Sequence, residues 1–280
     1  MPGTLYVVAT PIGNLEDVTF RALRVLREVA LIAAEDTRRT ARLLQHYSIS
    51  TPTTSLHEHN ERHKSRSLIG RLLAGESIAL VSDAGTPVVS DPGAHFVAQA
   101  HAAGIRVEPI PGPSAAIAAL SASGFDAKEV LFLGFPPGRS TDRKRWFERL
   151  SSEARVLVFY EAPHRIGTTL ESLLAVFGDR PILVGRELTK IHEELVIRPI
   201  SAHLASLGDS KGEFTIVVPS VSGAEKGGSR PDDSELAAEF GRLTENALVD
   251  RREALKTLAK KYGLPTRELY GIIEGAKKLG

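Results

Sequence analysis

The sequence predicts an α/β protein of two domains carrying a small helical tail. The length of 280 residues suits two domains at roughly 100–200 residues each. Short apolar runs alternate with helically spaced apolar residues through the first 125 positions, the pattern of a mostly parallel sheet wrapped by helices. Strand patterns then dominate until about residue 219, and residues 235–280 carry helical patterns alone.

The elements follow in order. Leu5–Ala9 reads as a buried strand stopped by Pro11 and Gly13, and residues 19–30 space Phe20, Leu23, Val25, Leu26 and Val29 as a helix does. Strands are expected at 31–34, 77–82 and 105–110, and helices at 38–46, 58–74, 92–103 and 114–121. Near Gly124-Phe125-Asp126 the texture changes. Strands at 130–134, 155–160, 181–186, 194–199 and 214–219, with helices at 142–152 and 165–177, point to a mixed sheet. The expected organisation is therefore an α/β domain at 1–125, a second at 126–221, a Gly/Ser-rich linker at 222–234, and a helical tail at 235–280. Within the tail, Leu255–Tyr270 bends at Gly263 like a helix-turn-helix, and Pro265-Thr266-Arg267-Glu268 makes a helix start.

Composition narrows the chemistry. The chain is 42% hydrophobic and 25% charged, as soluble globular proteins are. It has no cysteine, which excludes disulfides, thiolate metal sites and cysteine nucleophiles. No apolar run approaches the roughly 20 residues of a membrane span, and the start lacks a basic signal region, so a cytoplasmic location is expected. The net charge of +1 hides segregation: from Arg251 onward eight basic residues and three acids leave +5. A second basic cluster, Arg139, Arg143, Lys144, Arg145 and Arg149, surrounds Trp146. Two such clusters raise the prospect of a polyanionic partner.

Ligands of open α/β sheets bind beyond the carboxyl ends of the strands. The segments expected there are rich in Gly, Pro and polar residues: Thr10–Asn14, Glu35-Asp36-Thr37-Arg38, Asp83–Pro87, Pro111–Ser114 and Tyr160–Arg165. Glu35-Asp36-Thr37-Arg38 places two carboxylates and a guanidinium after an apolar strand, a substrate-site arrangement that also contains an ordinary helix cap. Dinucleotide, Walker-type and Gly-x-Ser-x-Gly fingerprints are all missing. His57-Glu58-His59-Asn60-Glu61-Arg62-His63 is read as a polar binding loop or plain surface, and no metal site is expected.

Taken together, these motifs resemble the bacterial ribosomal RNA small subunit methyltransferase I family of the tetrapyrrole methylase superfamily. The resemblance rests on Leu5–Leu15, Glu35–Arg38, Leu56–Glu61, Val81–Pro87, Ser90-Asp91-Pro92-Gly93, Pro111–Ala115, Gly134-Phe135, Tyr160-Glu161, Arg186–Lys190 and Lys211-Gly212-Glu213, in order along nearly the whole chain. Departures are modest, such as Ala9 before Thr10 and Gly138-Arg139. The resemblance implies a two-domain tetrapyrrole-methylase-like fold, usually a homodimer, holding S-adenosylmethionine between domains and methylating a cytidine ribose 2′ oxygen in 16S ribosomal RNA of the small subunit.

By that resemblance Ile12, Gly85, Thr86, Val89, Ser114, Ala115, Tyr160, Leu188, Glu213 and Phe214 are expected to hold the methyl donor. Glu35 and Asp36, then Glu161, are the expected proton acceptors, followed by His57. Arg38, His57, His59, Asn60, Arg143, Arg145, Lys190 and Lys211 are the expected RNA contacts. The competing readings are a porphyrin or corrin precursor methyltransferase and a ligand-sensing DNA-binding regulator.

Overall fold

Ten strands form two five-stranded sheets in the computed structural model, which describes residues 1–208, 211–220, 233–246, 250–262 and 264–279. Both sheets belong to one compact unit, Met1–Ser151 with Val156–Val218; a second unit comprises Ser152–Arg155 and Pro219–Gly280.

The first sheet takes β1 (Thr4–Val8), β2 (Leu31–Ala34), β3 (Thr53–Ser55), β4 (Ile78–Val81) and β5 (Arg106–Ile110) in the order β3-β2-β4-β1-β5, every pairing parallel. β2 and β4 are buried along their whole length, because helices cover both faces. Side-chain alternation divides them between two cores. Ile32, Ala34, Ala79 and Val81 meet α1 (Phe20–Glu28) and α2 (Thr37–His46), whereas Leu31, Ala33, Ile78 and Leu80 meet α3 (Glu61–Leu73) and α4 (Ala94–Ala102). Thr19 and Asp36 cap α1 and α2 by accepting from the Ala22 and Arg38 N–H groups.

After β5 the chain forms α5 (Ala115–Ser121), whose Ala116 and Ala119 pack on the second sheet rather than the first. That sheet takes β6 (Val130–Phe132), β7 (Val156–Glu161), β8 (Pro181–Arg186), β9 (Glu194–Pro199) and β10 (Phe214–Val218) in the order β6-β7-β10-β8-β9. Only β6 and β7 pair in parallel, so the sheet is mixed, as the strand spacing predicts. Leu157, Phe159, Ile182, Phe214 and Ile216 face α6 (Ser140–Leu150), α7 (Ile166–Phe177) and α8 (Ile200–Ala205); Val156, Val158, Leu183 and Val217 face α5.

Besides a short 3-10 turn at Leu15–Asp17, two elements escape the sequence reading. β3 is Thr53-Thr54-Ser55, with no apolar residue to announce it; it exists because β2 offers an edge to pair with. α8 is a six-residue turn of helix directly after β9, too short for periodicity to register.

In the second unit, α9 (Asp233–Asn246), α10 (Arg251–Tyr262) and α11 (Thr266–Leu279) enclose Leu236, Phe240, Ala254, Leu258, Leu269 and Ile273. Arg251 stacks over Phe240 at 5.8 Å, and the Tyr262 hydroxyl donates to Glu239. The linker read at 222–234 lies outside the described residues except for Asp233 and Ser234, which open α9; Gly263, the expected bend, lies outside them too.

Candidate active site

The first sheet has a topological switch between β1 and β4. These strands are neighbours, yet β1 leads to α1 on one face and β4 leads to α4 on the other. Their loops therefore diverge and leave a crevice at the carboxyl ends. Reciprocal bonds, Thr10 N–H to Gly85 O at 2.9 Å and Gly85 N–H to Thr10 O at 3.0 Å, tie the two loops at its floor. Gly85 has φ +80°, and a Cβ there would stand 3.4 Å from Ile12 Cγ2 and 3.7 Å from the Pro113 carbonyl. Three strand-end loops thus converge on one residue that has no side chain.

The crevice opens into a cleft of about 430 Å³, lined by both sheets. Its walls include Ile12, Gly85, Thr86, Val89, Ser114, Ala115, Tyr160, Leu188, Glu213 and Phe214, all ten positions expected around the methyl donor. Glu35 and Glu161 reach it as well. Arg39, Asp83, Ser90, Asp91, Phe135 and Thr215 also line it; Asp83, Ser90, Asp91 and Phe135 fall in motifs noted in the sequence but carry no assigned role there, and Arg39 and Thr215 fall in none of them.

Four carboxylates at the end of the first sheet fare differently. Asp83 accepts the Asp36 N–H at 3.0 Å and pairs with Arg39 at 3.3 Å. Glu35 accepts the Asp83 N–H at 3.2 Å, and burial pushes its carboxyl above the ordinary range. Asp91 accepts from the Ser82 hydroxyl; burial, with Glu35 and Asp83 nearby, pushes its carboxyl up to about 6. Asp36 goes the opposite way: the Arg38 guanidinium and N–H hold it far below the ordinary carboxylate range. The backbone leading to Asp91 is strained, since Val88 and Ser90 hold φ of +75° and +69°, where side chains are disfavoured.

The second sheet contributes an aromatic and apolar wall. Tyr160 accepts the Ala116 N–H on its hydroxyl at 3.3 Å and packs against Phe132 and Phe135 with ring centroids 5.2 and 5.5 Å away. Burial raises the Tyr160 hydroxyl above its usual range, so it stays neutral. Glu161 is 1% exposed. Its oxygens accept from the Ala162 N–H at 2.8 Å, Arg165 Nε at 2.7 Å and the Thr169 hydroxyl at 2.6 Å. Three donors thus surround this carboxylate, and Asp36 is engaged by its helix cap and by Arg38.

Several expected RNA contacts are also occupied. Arg143 is 3% exposed and donates to Ser172 and to the Pro137 and Gly138 carbonyls, so it holds α6 in place rather than joining a basic face. Arg145 on the same helix is exposed. Lys190 is shared between Glu187 and Glu213 at 2.9 and 3.1 Å. Lys211 is exposed beyond the cleft lining, and Arg38 lies on the surface against Asp36. His57, His59 and Asn60 form a turn after β3, where the Asn60 side chain accepts the His57 N–H at 2.9 Å and contacts its ring at 3.0 Å. None of the three lines the cleft.

Among the described residues, no group of three or more His, Cys, Asp or Glu side chains is placed to hold a metal ion, and no helix is long and apolar enough to cross a membrane.

Comparison with known proteins agrees with this architecture. The sequence profile of the tetrapyrrole (corrin/porphyrin) methylases matches residues 4–203. The chain is 53% identical over 221 residues to ribosomal RNA small subunit methyltransferase I of Pseudomonas aeruginosa, covering 77% of this chain and 78% of that one. It is 44% identical over 278 residues to the protein of that name from Halalkalibacterium halodurans, covering 96% and 94%. A diphthine synthase structure superposes with a TM-score of 0.62 at 16% identity, over 78% of this chain and 90% of that one. Uroporphyrin-III-C-methyltransferase from Thermus thermophilus gives 0.54 at 21% identity, over 77% and 94%. The chain belongs to the tetrapyrrole methylase family and, within it, to the ribosomal RNA small subunit methyltransferase I family.

Proposed function

We propose that this protein methylates the ribose 2′ oxygen of a cytidine in 16S ribosomal RNA of the small subunit, using S-adenosylmethionine, as a cytoplasmic homodimer. The observation that carries the reading is the 44% identity that runs over 96% of the chain to a ribosomal RNA methyltransferase, whereas the match to tetrapyrrole methylases at large ends at residue 203.

The cleft suits the donor. Its volume of about 430 Å³ falls within the range of small-ligand pockets, roughly 300–1,000 Å³. Ile12, Leu188 and Phe214 offer apolar surface to an adenosyl group, Gly85 admits close approach, and Thr86, Ser114, Ala115, Val89, Tyr160 and Glu213 complete the walls. Glu35, Asp83 and Asp91 outnumber Arg39 there, which favours a cationic sulfonium. When bound, S-adenosylmethionine supplies an electrophilic methyl group and its sulfur departs with the bonding electron pair as a neutral thioether.

The protein's task is to align the 2′ hydroxyl with that methyl group and to take its proton. Asp91 is the acceptor favoured by its surroundings: it has one hydroxyl partner, lines the cleft, and has its carboxyl pushed up to about 6 by burial. Glu35, also raised, stands second. The same acidic walls repel phosphates, so the RNA backbone stays at the rim and only the target nucleoside enters. Exposed Arg252, Lys256 and Arg267 on the tail helices then supply phosphate contacts, which salt weakens.

Transfer of a radiolabelled methyl group tests this with small ribosomal subunits, free 16S RNA, a tetrapyrrole precursor and DNA as acceptors. The expected result is label in RNA at a linkage that resists alkali, since a methylated 2′ oxygen cannot attack its phosphodiester. Label in the tetrapyrrole alone, in DNA alone, or in none of the four overturns the proposal.

A further inference from the structure

Phe135 is 53% exposed, although its neighbour Tyr160 and the apolar cleft residues Leu188 and Phe214 are half-buried or buried. It lines the cleft at its open side, together with Val89, also exposed at 46%. Exposed aromatic surface is unfavourable in water, and a large ring held at a cleft rim marks a place that a ligand covers.

The ring is held from behind. Its centroid lies 5.5 Å from that of Tyr160 at an interplanar angle of 57°, and Tyr160 is braced in turn by Phe132 and by the Ala116 N–H. Gly134 turns the chain out of the second sheet with φ +63°, and a Cβ there would stand 3.0 Å from Ser90 Oγ. The Phe135 loop therefore abuts the loop that carries Asp91. Val89 lies in that same loop, so the two exposed apolar side chains of the cleft come from two loops that meet at Ser90.

Resting on the function proposed above, we infer that Phe135 is the platform on which the base of the acceptor nucleotide stacks, placing the attached ribose beside Asp91. A base drawn out of an RNA strand loses its stacking neighbours, and proteins that bind such bases replace them with aromatic faces. Stacking tolerates any base, so Phe135 supplies affinity and position, while discrimination of cytidine falls to polar groups.

The test compares Phe135→Ala, Phe135→Leu and Phe135→Trp with the native protein, measuring methyl transfer to small ribosomal subunits and, by calorimetry, affinity for S-adenosylmethionine. The alanine variant should lose roughly 5- to 100-fold in kcat/KM for subunits. Donor affinity should stay within about twofold, which also reports that the fold is intact. Phe135→Leu, which keeps apolar bulk without a flat face, should remain impaired, and Phe135→Trp should recover most of the rate. Should Phe135→Ala prove insoluble, the leucine and tryptophan pair carries the same contrast. Full activity of the leucine variant, unchanged kcat/KM in the alanine variant, or weakened donor binding overturns the inference while leaving the proposed reaction standing. If the native protein methylates no RNA, both fall.

Discussion

The two sheets furnish the cleft in opposite ways. The first brings four carboxylates to its strand ends and leaves two of them thinly partnered: Asp91 has the Ser82 hydroxyl, and Glu35 has one backbone N–H. The second brings aromatic and aliphatic surface, and its Glu161 is enclosed by three donors. Asp91 and Glu161 are both shielded acids on the same cleft, yet Asp91 has one side-chain partner and Glu161 has three donors. Partner number, more than residue type or burial, separates a group available for chemistry from one committed to the fold.

Four substitutions or titrations probe that contrast. The largest effect is expected from Asp91→Asn, which should lower methyl transfer by about 10²- to 10⁴-fold with donor binding retained, as loss of a general base does. Single-turnover assays at saturating donor would show it. A native-like rate would return the proton-acceptor role to Glu35. Glu161→Ala should instead unfold the protein more easily, by about 3 kcal/mol, because Arg165 and Thr169 lose their buried partner. Chemical denaturation measures this, and the rate per folded molecule should change far less.

pH gives the third probe. A base titrating at about 6 predicts a rate that falls roughly tenfold per unit below that pH and levels off above it. A flat profile between pH 5 and 8 would remove Asp91 from the mechanism. Stability runs the other way. The folded Asp91 carboxyl binds its proton more tightly than the ordinary 3.8 of an unfolded chain, so its contribution to stability is full below that pH and is lost as pH rises through about 6. Asp91→Asn should therefore stabilise the protein at pH 7, by about 1 kcal/mol once solvent screening of this half-buried group is allowed for. A thermal shift upward, paired with the lost rate, would be hard to obtain from a purely structural residue. Gly85→Ala should have the smallest effect: about 1 kcal/mol of backbone strain, read as a roughly fivefold weaker donor affinity.

Much of this was legible in the sequence, for identifiable reasons. Most strands announce themselves because burial on two faces demands apolar runs, as in Leu31–Ala34 and Ile216–Val218, whereas β3 has no such run. Strand-end loops rich in Gly and Pro point to the cleft because a close backbone approach requires them. Asp91 could not be singled out, since its character comes from neighbours that the fold imports from Ser82, Asp83 and Glu35. Arg143 misled by its company. It sits one helical turn before Phe147, both on the buried face of α6, and that spacing was the available sign that its charge points inward. Exposure of Phe135 has no signature in the chain at all.

Val88 is β-branched and held at φ +75° three residues before Asp91. Glycine would relieve this conformation, at the cost of the packing that Val88 makes against the core around Leu80 and Phe96. The relaxed loop would then hold the Asp91 carboxylate less firmly in the cleft. Strain held in this loop is strain that thermal screening without an activity readout would remove first.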